Sequence, residues 1–190
     1  MATGPILAMV EPAPDTPGQA RERLGALGLA LRAEKDKDGS FLLDLYRSVR
    51  AEELAPVPWS AAMKDAFLAD QLALQRADWG RRFGAADRWV VEQHGRPIGR
   101  LYLDRSAPTW RVIDIGLMTE ARGRGCGQAL LRWCQADAVQ AGAKTIDLLV
   151  LVHNRAAERL YLRLGFIPDR APTGPYQAMT WTAPGAHAAP

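Results

Sequence analysis

The stretch that most constrains this chain runs from Arg111 to Ala141 and reads RVIDIGLMTEARGRGCGQALLRWCQADAVQA. An apolar run, Val112 to Met118, leads through a polar bend, Thr119 to Ala121, into the turn Arg122-Gly123-Arg124-Gly125-Cys126-Gly127. Beyond the turn, Leu130, Leu131, Cys134, Ala138 and Ala141 fall on one stripe of a helix. The pattern is strand, glycine-rich turn, helix. Glycines let backbone N–H groups approach a ligand without side chains in the way. A helix N-terminus adds unpaired donors and partial positive charge, so an anion such as a phosphate fits there. Arg122 and Arg124 add full charges.

The spacing narrows the choice of phosphate site. A dinucleotide fingerprint needs G-x-G-x-x-G, but the glycines here fall as G-x-G-x-G. A nucleotide P-loop needs Lys-Ser or Lys-Thr after its last glycine, and neither follows. The bland reading is a Gly/Arg surface loop without a ligand. At 190 residues the chain fits one domain, expected over 24–183, with an N-terminal extension at 1–23 and a tail at 184–190. The net charge of +3 suits an anionic ligand but is too small to argue for nucleic acid. Cys126 and Cys134 give neither a disulfide framework nor zinc spacing, so no metal is expected and a reducing, cytoplasmic setting is. No apolar run is long enough to span a membrane, and the start, MATGPILAMVEPAPDTPG, lacks the basic residues of a signal peptide.

The remaining elements follow from local pattern. Residues 1–23 carry Pro5, Pro12, Pro14 and Pro17 and read as a loosely packed extension. Leu27 to Ala33 is a first strand. Ser40 is an expected cap for a helix with Leu42, Leu45, Tyr46 and Val49 on one stripe. Ser60 caps a second helix reaching about Trp79. That helix has two apolar faces: Met63, Phe67 and Leu74 on one, Leu68, Leu72 and Trp79 nearly opposite. One face covers a sheet; the other meets a second element, a ligand or a partner chain, a homodimer included. Arg88 to Gln93 and Ile98 to Asp104 form a hairpin around His94-Gly95-Arg96-Pro97, followed by the strand Trp110 to Met118. After the loop come a helix ending at Gly142, a buried strand from Lys144 to Val152, a helix capped by Asn154, and strands at Phe166-Ile167 and Tyr176 to Trp181.

The loop Arg122 to Gly127, R-x-x-G-x-G at a strand-to-helix junction, resembles the acetyl-CoA pyrophosphate loop of the GNAT superfamily of N-acetyltransferases. The segment Asn154 to Phe166, NRAAERLYLRLGF, resembles the same family's N-x-x-A-x-x-L-Y-x-x-x-G-F motif at every specified position. The resemblance covers roughly residues 27–182. It implies an α+β fold: a mixed, mostly antiparallel sheet of six or seven strands with flanking helices. Its central strands 112–118 and 145–152 would run parallel and splay apart. It implies acetyl-CoA as cofactor, with Arg122, Gly123, Arg124, Gly125, Cys126 and Gly127 around the pyrophosphate and the backbone of Leu117 and Met118 along pantetheine. Asn154, Ala157 and Tyr161 would border the same ligand, and Tyr161 would act as general acid toward the leaving thiolate.

The residues themselves leave alternatives open. Tyr161 also reads as an apolar-stripe tyrosine, and Cys126 as a small turn side chain. Amine attack on a thioester needs a neutral amine, so a carboxylate or an ordered water must take a proton. Asp114 is the first candidate base and Glu92 the second; His94 and His153 sit in turns, and His187 in the tail. The leading expectation is an N-acetyltransferase acting on a primary amine of a small molecule or peptide. The alternative is a non-catalytic acyl-CoA-binding module; nucleic-acid binding rests on the RGRG run alone. Arg47, Arg50, Arg81 and Arg82 hint at an anionic acceptor, and solvated surface arginines explain them equally well.

Overall fold

The computed structural model describes residues 14–172 and 174–186. Seven strands form one sheet: β1 (Leu29–Ala33), β2 (Asp87–Gln93), β3 (Arg96–Asp104), β4 (Thr109–Leu117), β5 (Thr145–Leu151), β6 (Ile167–Pro168) and β7 (Tyr176–Thr182). Their order is β1-β2-β3-β4-β5-β7-β6, and among the described residues only β4 and β5 run parallel. The mostly antiparallel α+β architecture with a central parallel pair is as the sequence led us to expect. Helices α1 (Pro17–Ala26), α4 (Cys126–Ala141) and α5 (Arg155–Arg163) join one side; α2 (Gly39–Leu54) and α3 (Ala61–Arg82) pack together on the other.

The main core lies under α4. Leu130, Leu131, Cys134 and Ala138 are fully buried against Leu101 and Leu103 of β3, Val112 of β4 and Ile146 and Leu148 of β5. Each buried leucine contributes about 2 kcal/mol relative to exposure, so this stripe alone is a large share of the fold's drive. The second core joins Leu42, Tyr46 and Leu54 of α2 to Leu68 and Leu72 of α3. The opposite face of α3 leaves Met63 and Leu74 exposed.

Three local features depart from the sequence reading. Residues 1–13 and 187–190, with His187, lie outside the described residues. Within the expected loose extension, however, Pro17–Ala26 is a helix. Thr16 and Gln19 form its capping box, Pro17 occupies its first turn, and Ala20 and Leu24 are buried where it packs on α4. Second, α2 starts one residue before Ser40. A 3₁₀ turn, Asp36–Asp38, leads into it, and the Asp38 carboxylate accepts from Lys35 N at 2.8 Å and from Arg32 at 2.7 and 2.8 Å. Third, β4 carries a bulge: Tyr102 faces Asp114 while Leu103 faces Val112, so Ile113 has no partner on β3. The extra residue shifts the alternation. Val112, Ile115 and Leu117 all pack toward the main core, while Asp114 stands beside Arg100 on the α3 side.

Candidate functional site

The β4–β5 pairing runs from Thr109↔Thr145 to Val112↔Leu148 and stops there. The upper halves of the two strands, 113–117 and 149–151, therefore face a gap. On the other edge of β4, Met118 N donates to Ile98 O at 2.8 Å. Backbone direction alternates along a strand, so the N–H of Leu117 points away from β3 and into the gap. Of the two residues expected along the ligand arm, Leu117 thus offers its amide, whereas that of Met118 is already taken.

The glycine turn follows. Gly123 (φ 72) and Gly125 (φ 83) adopt left-handed angles that L side chains disfavour. These angles bring successive N–H groups to one side, and those of Gly123, Arg124, Gly125, Gly127 and Gln128 have no acceptor among the described residues. A row of unpaired donors at the start of a long helix is an anion site. Gly127 has a packing role: a Cβ there would lie 3.4 Å from Leu160 Cδ2 of α5. The arginines differ. Arg122 turns back, its Nε donating to Leu117 O at 2.9 Å, which ties the turn to the end of β4. Arg124 is exposed and makes no hydrogen bond or ion pair among the described residues. Cys126 is buried, and that burial pushes its thiol pKa up, which does not suit a nucleophile.

The second motif lies across the gap. Asn154 caps α5, its Oδ1 accepting from Ala157 N at 3.1 Å; Ala157 itself is half-buried. One turn on, Tyr161 is buried, its ring centroid 5.8 Å from that of Phe166, and its hydroxyl has no hydrogen-bond partner among the described residues. Burial raises its pKa, and the negative charge of Asp114 raises it further. The phenol therefore keeps its proton throughout the neutral range. No hydrogen bond joins Asp114 and Tyr161 among the described residues: Asp114 is held by Arg100 on the α3 side, and Tyr161 packs with the main core. Glu92 pairs instead with Arg32 at 2.6 Å. His94 and His153 are exposed in their turns.

Arg100 of β3 was not singled out in the sequence, yet it organises this corner. It is 4% exposed, and its Nε donates to Asp114 Oδ2 at 2.5 Å and its Nη2 to Gln75 Oε1 at 3.1 Å. Its guanidinium carbon lies 5.3 Å from the ring centroids of both Trp79 and Tyr102. Burial alone would lower its pKa, but Asp114, Tyr102 and Glu34 more than offset that, so it stays charged. Asp114 Oδ1 remains without a hydrogen-bond partner among the described residues. A clue did exist: a lone arginine in the apolar strand IGRLYLD needs an inward partner. The surface arginines resolve otherwise. Arg47 pairs with Asp44 and Asp65, Arg50 with Glu53, and Arg81 and Arg82 with Asp78.

Comparisons with known proteins agree with this fold. The family model for the acetyltransferase (GNAT) family matches residues 43–166. An aminoalkylphosphonate N-acetyltransferase of Salmonella typhimurium is 34% identical over 55 residues, 29% of this chain and 36% of that protein. The match thus spans about a third of that relative's length. Among solved structures, the PaiA N-acetyltransferase of Thermoplasma acidophilum in complex with coenzyme A superposes with a TM-score of 0.62 at 16% identity, covering 81% of this chain and 98% of that one. The spermidine N-acetyltransferase of Vibrio cholerae in complex with CoA and spermine gives 0.57 at 20%, covering 82% and 95%. These two likenesses establish the fold.

Proposed function

Because this chain belongs to the GNAT acetyltransferase family, we propose that it transfers an acetyl group from acetyl-CoA to a primary amine by direct attack. The observation that carries the proposal is one arrangement. A row of unpaired N–H groups at the start of α4 follows the end of β4, where the β4–β5 pairing has already stopped, and the buried Tyr161 of α5 leaves its hydroxyl without a hydrogen-bond partner among the described residues. The donors suit a pyrophosphate, and an interrupted strand ladder suits an amide-bearing pantetheine arm. Acetyl-CoA would supply the activated acetyl thioester.

Each residue then has a task. The amides from Gly123 to Gln128 and the charge of Arg124 bind the diphosphate; Arg122 holds the turn to β4; Cys126 and Gly127 pack its base. The N–H of Leu117 faces the position where the thioester oxygen gains charge. Asn154 fixes the first turn of α5 by accepting from Ala157 N, and so sets the position of Tyr161 one turn on. Tyr161 donates a hydrogen bond to the departing sulfur. A thiol has a pKa near ~8.5, well below that of this buried phenol, so full proton transfer to the thiolate is uphill and the hydrogen bond is the main contribution. Asp114, held by Arg100, presents Oδ1 to the attacking amine. The reading includes a cytoplasmic setting, which the two buried thiols support.

The test is release of free thiol from acetyl-CoA by the purified protein over a panel of primary amines that includes polyamines and aminoalkylphosphonates, the acceptor types named for the relatives. At least one amine is expected to turn over. Tyr161→Phe is expected to lower kcat about tenfold or more while leaving the CoA dissociation constant within about twofold. CoA binding without turnover across the panel would instead favour an acyl-CoA-binding module.

A further inference from the structure

Gln135 is a polar residue in an apolar place. It is fully buried in α4, on the helix that also buries Leu131, Cys134 and Ala138. Its Oε1 has no hydrogen-bond partner among the described residues, and an orphaned buried acceptor is unfavourable. A methionine would fill a similar volume without that penalty. What the glutamine adds is its other end: Nε2 donates to the Leu164 carbonyl at 2.7 Å. A carbonyl only accepts, so this partner fixes which way the amide is turned. Among the described residues it is the only hydrogen bond between α4 and residues 155–166.

The turn that Gln135 holds is the one that carries Tyr161. α5 has nine residues, too few to be stable alone, and Tyr161 is the only one of them that is buried. The helix ends in a Schellman motif. Gly165, at φ 82, lets Phe166 N donate to Tyr161 O at 3.0 Å and Gly165 N to Leu162 O at 3.1 Å. The hydrophobic contact that accompanies the motif is the Tyr161–Phe166 ring pair. The motif leaves the Leu164 carbonyl over, and Gln135 takes it. α4 also begins with the glycine turn and its unpaired amides, and Gln135 lies about 14 Å further along the same helix. One rigid element therefore bears the anion turn at its start and the tie to the Tyr161 turn farther on.

We propose that Gln135 is a positioning residue for acetyl transfer. By holding the Leu164 carbonyl to α4, it sets where the Tyr161 hydroxyl stands relative to the glycine turn that seats the diphosphate. The proposal rests on the acetyltransferase reading above and adds to it the residue that aims the phenol. A thioester anchored by its diphosphate brings its sulfur to a set distance from the glycine turn. A drift of about 1 Å in the end of α5 is then enough to spoil the hydrogen bond from Tyr161. Gln135 itself, buried on α4, acts only through that turn.

The test reads Tyr161 directly. The full-length protein is labelled with fluorotyrosine, and Tyr161→Phe identifies the Tyr161 signal among those of Tyr46, Tyr102 and Tyr176. Gln135→Met keeps the volume and removes the donor; Gln135→Leu takes its place if thermal melts show it unfolded. In the folded variant we expect the Tyr161 fluorine signal to shift or broaden while the other tyrosines keep theirs, and CoA to bind within about twofold of wild type. With an amine that turns over, kcat is expected to fall about tenfold at an unchanged KM for acetyl-CoA. Added to Tyr161→Phe, the same substitution is expected to change kcat by less than about twofold, because its effect passes through the phenol. A glutamine that only stabilises the fold would lower the melting temperature and move none of these. An unmoved Tyr161 signal, or a kcat loss that persists in full in the Tyr161→Phe background, overturns the proposal and leaves the cofactor site standing. If the wild type binds CoA and no amine turns over, the fluorine signal decides alone. Failure of the wild type to bind CoA overturns the acetyltransferase reading, and the part of Gln135 in transfer with it.

Discussion

Gly123 and Gly125 show how much the candidate site depends on single backbone angles. At φ 83, Gly125 holds a conformation that costs an ordinary residue about 1–3 kcal/mol, and a branched side chain there would also stand among the unpaired amides. Gly125→Val is therefore expected to weaken CoA binding by about a hundredfold or more. Arg124→Ala removes one exposed charge and is expected to cost about 1–2 kcal/mol, roughly tenfold. Calorimetric titration of both folded variants checks the ranking; wild-type affinity in Gly125→Val would place the ligand elsewhere. At this scale the turn was legible, because glycine spacing and helix polarity act locally. Arg100 was not, because its importance comes from Gln75, Trp79 and Asp114, residues that only the packed α3 and the β3–β4 register bring to it. The division of labour between Arg122 and Arg124 was hidden for the same reason: which arginine folds back depends on where the carbonyl of Leu117 lies.

Element boundaries were read well wherever the apolar period was long, as in α4, β4 and β5, and poorly where a single polar contact set them. The start of α2 is the example. Ser40 looked like its cap, but Asp38 closes the preceding turn and, through Arg32, ties α2 to β1. The Arg32 guanidinium holds the buried Asp38 carboxyl down from the usual 3.8 to about 2, helped by the Lys35 amide. A carboxyl with a depressed folded pKa favours the fold in its charged form. The stabilisation is complete above the unfolded value and is lost as pH falls through the folded one. It amounts to about 1–2 kcal/mol after allowing for the partly solvated arginine, and it disappears between about pH 4 and pH 2. Urea unfolding at about pH 5 and at about pH 2.5 should show a smaller acid loss in Asp38→Asn than in the wild type. An identical loss in both would mean that other carboxylates govern acid unfolding. The helix α1 escaped the sequence reading for a different reason. Only Ala20 and Leu24 are buried along it, too few inward residues for a period, and the burial comes from α4, more than a hundred residues away in the chain.

At the scale of the whole molecule, the sheet divides into a meander, β1 to β4, and a shorter group, β5, β7 and β6, with β4 and β5 in register only from Thr109↔Thr145 to Val112↔Leu148. That division was foreseeable only by family resemblance; nothing in the composition of β4 or β5 says where their pairing ends, since it is the bulge at Ile113 that turns the strand away. The gap has a consequence for amide exchange. A backbone N–H inside a sheet exchanges with solvent deuterium slowly because its hydrogen bond must first open, whereas that of Leu117 is in mid-sheet and has no strand to bond. It is expected to exchange at a rate typical of loops in the ligand-free protein, and about tenfold or more slowly at saturating CoA, while Leu101 and Ile146 stay protected in both states. Mass spectrometry or NMR on the two states reads this directly, and a Leu117 amide protected without ligand would mean the gap is closed in solution. An occupant that supplies the missing rung would complete the ladder from β3 to β5, so that heat or denaturant would meet one continuous sheet where the ligand-free chain offers a seam.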